Sequence, residues 1–133
     1  MEQGQGERNG VLLLDTSFLI LYESEVTARR VGPARLFLRS QPVEPAAVSL
    51  ISVGEFAEGY ANPRDVEAFM SQFRIVQLSR AIAYRMAAMQ ANLPQRLGEN
   101  DAWIAATALV YGAKVVGRDA AFVRVPRLDY VQL

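Results

Sequence analysis

This sequence predicts a single α/β domain with a central, mainly parallel sheet of four to five strands flanked by helices. Three observations carry that reading. Val11-Leu12-Leu13-Leu14 is apolar without alternation, as a strand covered on both faces requires. Short apolar bursts alternate with charged, helix-patterned segments along the chain. The intervals between bursts are too long for hairpins, so the strands run parallel and are joined by crossover helices.

Residues 1–9 read as a polar, Gly-rich flexible tail, and the domain as residues 10–133. The first strand runs directly into Asp15, and a short helix follows from Thr16 to about Tyr22. An acidic bend at Glu23-Ser24-Glu25 leads to a helical stretch over 26–40, interrupted by Gly32-Pro33 because proline cannot donate its amide to the preceding turn. Gln41 to Pro45 is a connector, and Ala46 to Ile51 is the second strand. A helix starting at Ser52 carries Glu55, Phe56 and Tyr60, and Asn62-Pro63 ends it or opens the next. That next helix, Arg64 to Gln72, is amphipathic, with Val66, Phe69, Met70 and Phe73 on one side. Arg74 to Leu78 is the third strand, and Ser79 caps a helix to about Ala91. After the loop Asn92–Gly98, a helix from about Asn100 to Tyr111 is closed by Gly112. Lys114-Val115-Val116 is the fourth strand, a loop passes through Asp119 and Phe122, and Tyr130 to Leu133 forms an edge strand.

Composition narrows the chemistry. The chain of 133 residues has 14 basic and 14 acidic side chains, no cysteine and no histidine. Without cysteine there is no disulfide framework or thiolate metal site, and a cytoplasmic setting is expected. Without histidine, Ser-His-Asp and Cys-His schemes, histidine acid–base catalysis and most zinc hydrolase sites are excluded. Hydrolysis would have to rest on carboxylates, which suit the hard cations Mg²⁺ and Mn²⁺. No apolar run reaches the ~20 residues of a membrane span, and no signal peptide is visible. All cations but Lys114 are arginine, which suits phosphate contacts, although a GC-rich coding genome produces the same bias.

Four carboxylates each have a structural explanation when taken alone. Asp15 can cap the helix behind it, Ser52-Val53-Gly54-Glu55 fits a capping box, Asp101 meets a helix dipole, and Asp119 can start a turn. Their joint placement points elsewhere. Asp15 follows strand one, Glu55 lies in the helix after strand two, and Asp119 follows strand four. Asp101 shares a helix face with Ile104, Ala105 and Ala108, so it belongs to a buried stripe. Strand ends and the starts of following helices meet along one edge of a parallel sheet. Clustered acids cannot all stay ionised without a cation, and a divalent metal there supports in-line attack on a phosphate.

Four segments carry a family resemblance: LLLDTSFLI, SLISVGEFAEG, NDAWIAATAL and KVVGRDAAFVRVPRL. Together they resemble the PIN-domain family and, within it, the VapC-like toxin ribonucleases of type II toxin–antitoxin systems. The resemblance implies a Rossmann-like sheet and Mg²⁺- or Mn²⁺-dependent RNA cleavage with one or two ions. It implies an acidic pocket of Asp15, Glu55, Asp101 and Asp119, in which Asp15, Asp101 and Asp119 hold metal and Glu55 orients or deprotonates water. Thr16 and Ser17 would support the acids or the substrate, and Arg118, Arg124 and Arg127 would flank the pocket and hold RNA phosphates. A homodimer and a cognate antitoxin that inserts a tail into the groove are implied partners, with Phe37, Leu38, Phe56 and Tyr60 as candidate contact surfaces. Trp103 is a candidate for base stacking, or for packing and dimer contact. Gly117 departs from the family pattern, because many relatives carry threonine or serine before the Arg-Asp pair; Asp119 is accordingly the acid whose role is most in question. Two rivals are a non-catalytic PIN-like module that binds RNA or protein, and a phosphatase with an aspartyl nucleophile. The second lacks the partner acid two residues after Asp15.

Overall fold

Leu12–Leu14 forms β1 at the centre of the sheet, and the burial of its side chains on both faces explains its unbroken apolar run. The computed structural model describes residues 11–41 and 45–133. The expected tail at 1–9 and most of the 41–45 connector lie outside the described residues.

The elements follow in the order β1, α1 (Thr16–Thr27), α2 (Pro33–Arg39), β2 (Ala47–Ser49), α3 (Leu50–Ala57), α4 (Pro63–Met70), β3 (Arg74–Val76), α5 (Arg80–Asn92), α6 (Glu99–Tyr111), β4 (Lys114–Gly117), a 3₁₀ turn (Ala120–Arg124) and β5 (Asp129–Gln132). All pairings are parallel and the strand order is β3-β2-β1-β4-β5. The chain therefore winds outward from β1 to β3, returns to the other side of β1, and continues through β4 to β5. The gap between β1 and β4 is the topological switch point, the place where open α/β sheets bind ligands.

Each sheet face has its own core. Leu13, Ala47 and Val115 pack with Met89, Ile104, Ala105, Ala108 and Phe122 from α5, α6 and the 3₁₀ turn. Leu12, Leu14, Val48 and Val116 pack with Phe18, Ala34, Phe56, Val66 and Met70 from α1 to α4. Phe56 belongs to this second core, stacked on Phe69 at 4.6 Å, so it is not part of a contact surface. Phe37 packs edge-on against Phe18, and Tyr60 lies tilted by 31° against Phe56. The exposed apolar side chain of α2 is Leu36.

Several element ends shift by one or two residues from the sequence expectation, β2 ending at Ser49 and β3 at Val76, and two helix boundaries differ for an identifiable reason. Helix α1 does not stop at Tyr22 but runs through Glu23-Ser24-Glu25 to Thr27. The reason lies in Glu25, which is fully buried and accepts N–H bonds from Gly32 (3.0 Å), Ala34 (3.0 Å) and Arg35 (2.9 Å). It caps the start of α2 across the turn, where Pro33 occupies the first helical position. Burial alone would raise the Glu25 pKa; the Arg35, Ala34 and Gly32 amides and the Arg30 charge outweigh it and hold the carboxyl below its ordinary range.

The second difference is at α3, which starts at Leu50 with Ser49 as its cap, the hydroxyl accepting from Ile51 N–H at 3.1 Å. Ser52 lies inside the helix, so the capping box at Ser52–Glu55 does not form. Glu55 thereby loses its structural explanation. The cap at Ser79 and the left-handed Gly112 (φ 65°) are where the sequence places them, and of the two readings of Asn62-Pro63 the structure has the pair opening α4, with Asn62 as its cap.

Candidate active site

Asp15 follows β1 directly, and its N–H donates to the Val116 carbonyl of β4 at 3.0 Å, which fixes it over the switch point. Its carboxylate Oδ1 accepts from the Phe18 N–H at 3.0 Å and the Ser17 hydroxyl at 2.6 Å. The capping role and the site role thus fall on one side chain. Only 3% of Asp15 is exposed. Burial pushes its pKa up, and the nearby Asp119 charge adds to this, against the lowering effect of the Ser17 and Phe18 donors.

The other three acids face Asp15 from separate elements. Asp101, in the first turn of α6, is pushed up to about 7 by burial, a hydrogen bond shared with Asp119, and the charges of Asp119, Asp15 and Glu55. Asp119 follows β4 and caps the 3₁₀ turn, its Oδ1 accepting from Ala121 N–H at 2.9 Å. Glu55 on α3 accepts from the Thr16 hydroxyl through Oε1 and from Asn100 Nδ2 at 2.7 Å through Oε2.

The upward push on Asp101 has a thermodynamic consequence. The folded chain keeps Asp101 protonated up to about pH 7, whereas the unfolded chain ionises it near the ordinary value of about 4. Between these values the native state binds more protons, so stability falls as pH rises. In chelator, the wild-type melting temperature is expected to fall between pH 5 and pH 8, and Asp101→Asn to flatten that fall. Equal slopes in the two proteins would contradict the cluster.

Gly117 is explained by a close approach. A Cβ at this position would overlap the Asp15 carboxylate. The Ser17 hydroxyl also reaches this point, donating to Asp15 and accepting the Arg118 N–H at 2.9 Å. Gly117→Ala is expected to cost about 2 kcal/mol by overpacking. In an Asp15→Ala background most of that cost should vanish, a coupling that denaturant melts of the double-mutant cycle would measure.

Arg118 is exposed and borders a hollow of about 430 Å³ formed with Ser17, Ile20, Leu21 and Ser24 beside Asp15. The other two arginines are placed elsewhere. Arg124 Nη1 donates to the Gln95 carbonyl at 2.8 Å, and Arg127 lines a cleft with Arg85, Met89 and Pro126 that contains none of the four acids. Trp103 is half-buried and does not line the hollow holding Glu55 and Asp101. A cavity of about 600 Å³ beneath β3, lined by Val11, Leu13, Ile75, Leu78 and Tyr111 among others, also lies away from the acids.

Two polar neighbours were not legible in the sequence. Asn100 had only its adjacency to Asp101 as a signal. Tyr130 on β5 had none; its hydroxyl donates to the Asp119 carbonyl at 2.6 Å, and its ionisation is disfavoured by burial and by Asp15, Asp119 and Asp101.

The donor set is all oxygen and strongly acidic, which fits a hard divalent cation. Among the described residues, no group of three acidic side chains is already drawn around a common point as a metal cage. No helix among the described residues is long and apolar enough to cross a membrane.

Fold and site together define an α/β protein with an acid-lined centre at the switch point of its sheet. The chain belongs to the PIN-domain family, whose model matches residues 12–128, and its fold is VapC-like. VapBC2 from Rickettsia felis, bound to a DNA fragment from its promoter, is similar at 18% identity and a TM-score of 0.76, covering 92% of this chain and 98% of that one. A toxin–antitoxin complex from Klebsiella pneumoniae is similar at 26% identity and a TM-score of 0.71, covering 91% and 96%. Mycobacterium tuberculosis VapC20, a sarcin–ricin loop cleaving toxin, is similar at 18% identity and a TM-score of 0.62, covering 84% and 92%. No curated protein shows significant sequence similarity to the chain.

Proposed function

We propose that this protein is a divalent-metal-dependent endoribonuclease and the toxin of a type II toxin–antitoxin pair. The observation that carries the reading is the placement of four acids: Asp15 after β1, Asp119 after β4, Asp101 opening α6, and Glu55 on α3, bonded to Thr16 next to Asp15 and to Asn100 next to Asp101. Asp15, Asp101 and Asp119 would hold one or two Mg²⁺ or Mn²⁺ ions. When bound, the metal supplies neutralisation of the charge that builds on the phosphate oxygens during in-line attack.

The remaining work falls to the chain. Glu55, held between the Thr16 hydroxyl and Asn100, orients the attacking water and accepts its proton. Ser17 keeps Asp15 aimed at the centre and ties the Arg118 backbone to it. The Arg118 side chain, exposed beside the acids, receives a substrate phosphate. A cognate antitoxin as partner is supported by the likeness to toxin–antitoxin complexes; a homodimer is inferred from the family alone, and a cytoplasmic setting from the absence of cysteine.

Incubating purified protein with total RNA, with Mn²⁺ and separately with chelator, tests the reading. Cleavage only with metal is the expected result. Absence of cleavage from protein shown to carry no copurified inhibitor would overturn it. The second reading is a non-catalytic RNA- or protein-binding module, favoured by the lack of a preformed three-acid cage among the described residues; it requires that saturating metal leave the RNA intact.

A further inference from the structure

We propose that Tyr130 is a positioning residue for Asp119: its hydroxyl, seated on a packed ring, holds the loop after β4 so that the Asp119 carboxylate faces the acid cluster. The inference rests on the functional reading above.

The loop itself offers little restraint. Arg118, Asp119 and Ala120 are all exposed, so packing does not hold their backbone. Backbone pairing between β4 and β5 reaches Gly117, whose carbonyl accepts the Leu133 N–H at 2.8 Å. Beyond that point side chains of β5 take over. Gln132 Nε2 donates to the Arg118 carbonyl at 3.3 Å, and the Tyr130 hydroxyl donates to the Asp119 carbonyl at 2.6 Å. Three successive carbonyls, at 117, 118 and 119, are therefore held by one edge strand. Tyr130 and Gln132 point the same way because alternate residues share a strand face.

The Tyr130 bond is the firmer of the two side-chain bonds. It is shorter, and its ring lies 5.1 Å from that of Phe122, which is fully buried. A rigid ring delivers its hydroxyl with little entropy to lose. Asp119 is thus held at both ends, its carbonyl by Tyr130 and its Oδ1 by the Ala121 N–H. A ligand carboxylate on a loop needs such support, since small misplacements are costly.

The test is Mn²⁺ binding by the metal-free protein, followed by calorimetry and by the loss of the free-ion electron paramagnetic resonance signal, with a thermal melt of each variant. Tyr130→Phe keeps the ring and removes the hydroxyl. It is expected to weaken Mn²⁺ binding by about 10-fold, at the low end of what partners of metal ligands contribute, with little change in melting temperature. Tyr84→Phe, on an exposed tyrosine far along α5, is expected to bind as wild type. Wild-type affinity in Tyr130→Phe overturns the inference. If that variant does not fold, Gln132→Ala decides, with a loss of about 2- to 3-fold expected from removing one weaker support and unchanged binding overturning it. Should wild type take up no Mn²⁺, the functional reading and the inference both fall. Loss of binding in Asp15→Asn beside unchanged binding in Tyr130→Phe removes the inference alone.

Discussion

Asp15→Asn is expected to lower metal-dependent RNA cleavage by about 10³-fold or more while leaving the melting temperature unchanged or raised. The two outcomes have one cause. The Asp15 carboxylate is almost wholly buried beside Asp119, and burial disfavours its charge. An asparagine oxygen still accepts from Phe18 N–H and the Ser17 hydroxyl, so the start of α1 stays capped. What disappears is the negative charge, which is costly to the fold and useful only to a cation. Losing several kcal/mol of charge stabilisation in the transition state corresponds to three or more decades of rate. Cleavage assays and thermal melts on the same preparation measure both. A variant that loses stability in step with activity would mean that Asp15 is principally a cap.

The largest loss of stability is expected from Glu25→Ala, far from the chemistry. Glu25 joins α1 to α2 by accepting from three backbone N–H groups inside the protein. Removing it orphans Gly32, Ala34 and Arg35 together and opens a void, for an expected cost of about 3 kcal/mol. For a chain of this size that is on the order of 10 °C in melting temperature. Gly32 belongs to the same arrangement, since a Cβ there would collide with the Glu25 carboxylate. The pH dependence has the opposite sign to that of Asp101. Because the Glu25 carboxyl is held below its ordinary value, its stabilisation is complete above about pH 4.5 and is lost as pH falls below that. Acid titrations of wild type and Glu25→Gln should therefore converge at low pH and separate near neutrality. Parallel curves would contradict the assignment.

These residues also show what the sequence could and could not convey. The fold class was legible because Leu12, Leu13 and Leu14 must be covered on both faces, and the two cores do this with alternate residues of β1. A cap with a short-range partner was legible too: Ser79 bonds to the amide three residues on. Glu25 was not, because its partners lie seven to ten residues away across a turn that only the fold closes. Glu55 was read locally as part of a capping box, which does not form, and by its place in the chain as a member of the acid group. The first reading depends on where α3 starts, which Ser49 decides; the second depends only on its following β2. Tyr130 and Asn100 escaped notice because a hydrogen bond between distant elements leaves no periodic trace.

The central claim is that Asp15, Asp101 and Asp119 form one cation-binding centre with Glu55 beside it. Diffraction from crystals soaked in Mn²⁺, with data collected for anomalous scattering, tests this most directly. One or two anomalous peaks are expected between the ends of β1 and β4, within coordination distance of Asp15 and Asp101 or Asp119, and none in Asp15→Asn. A map without a peak at that position at saturating Mn²⁺, or peaks confined to other carboxylates such as Glu99, would contradict it.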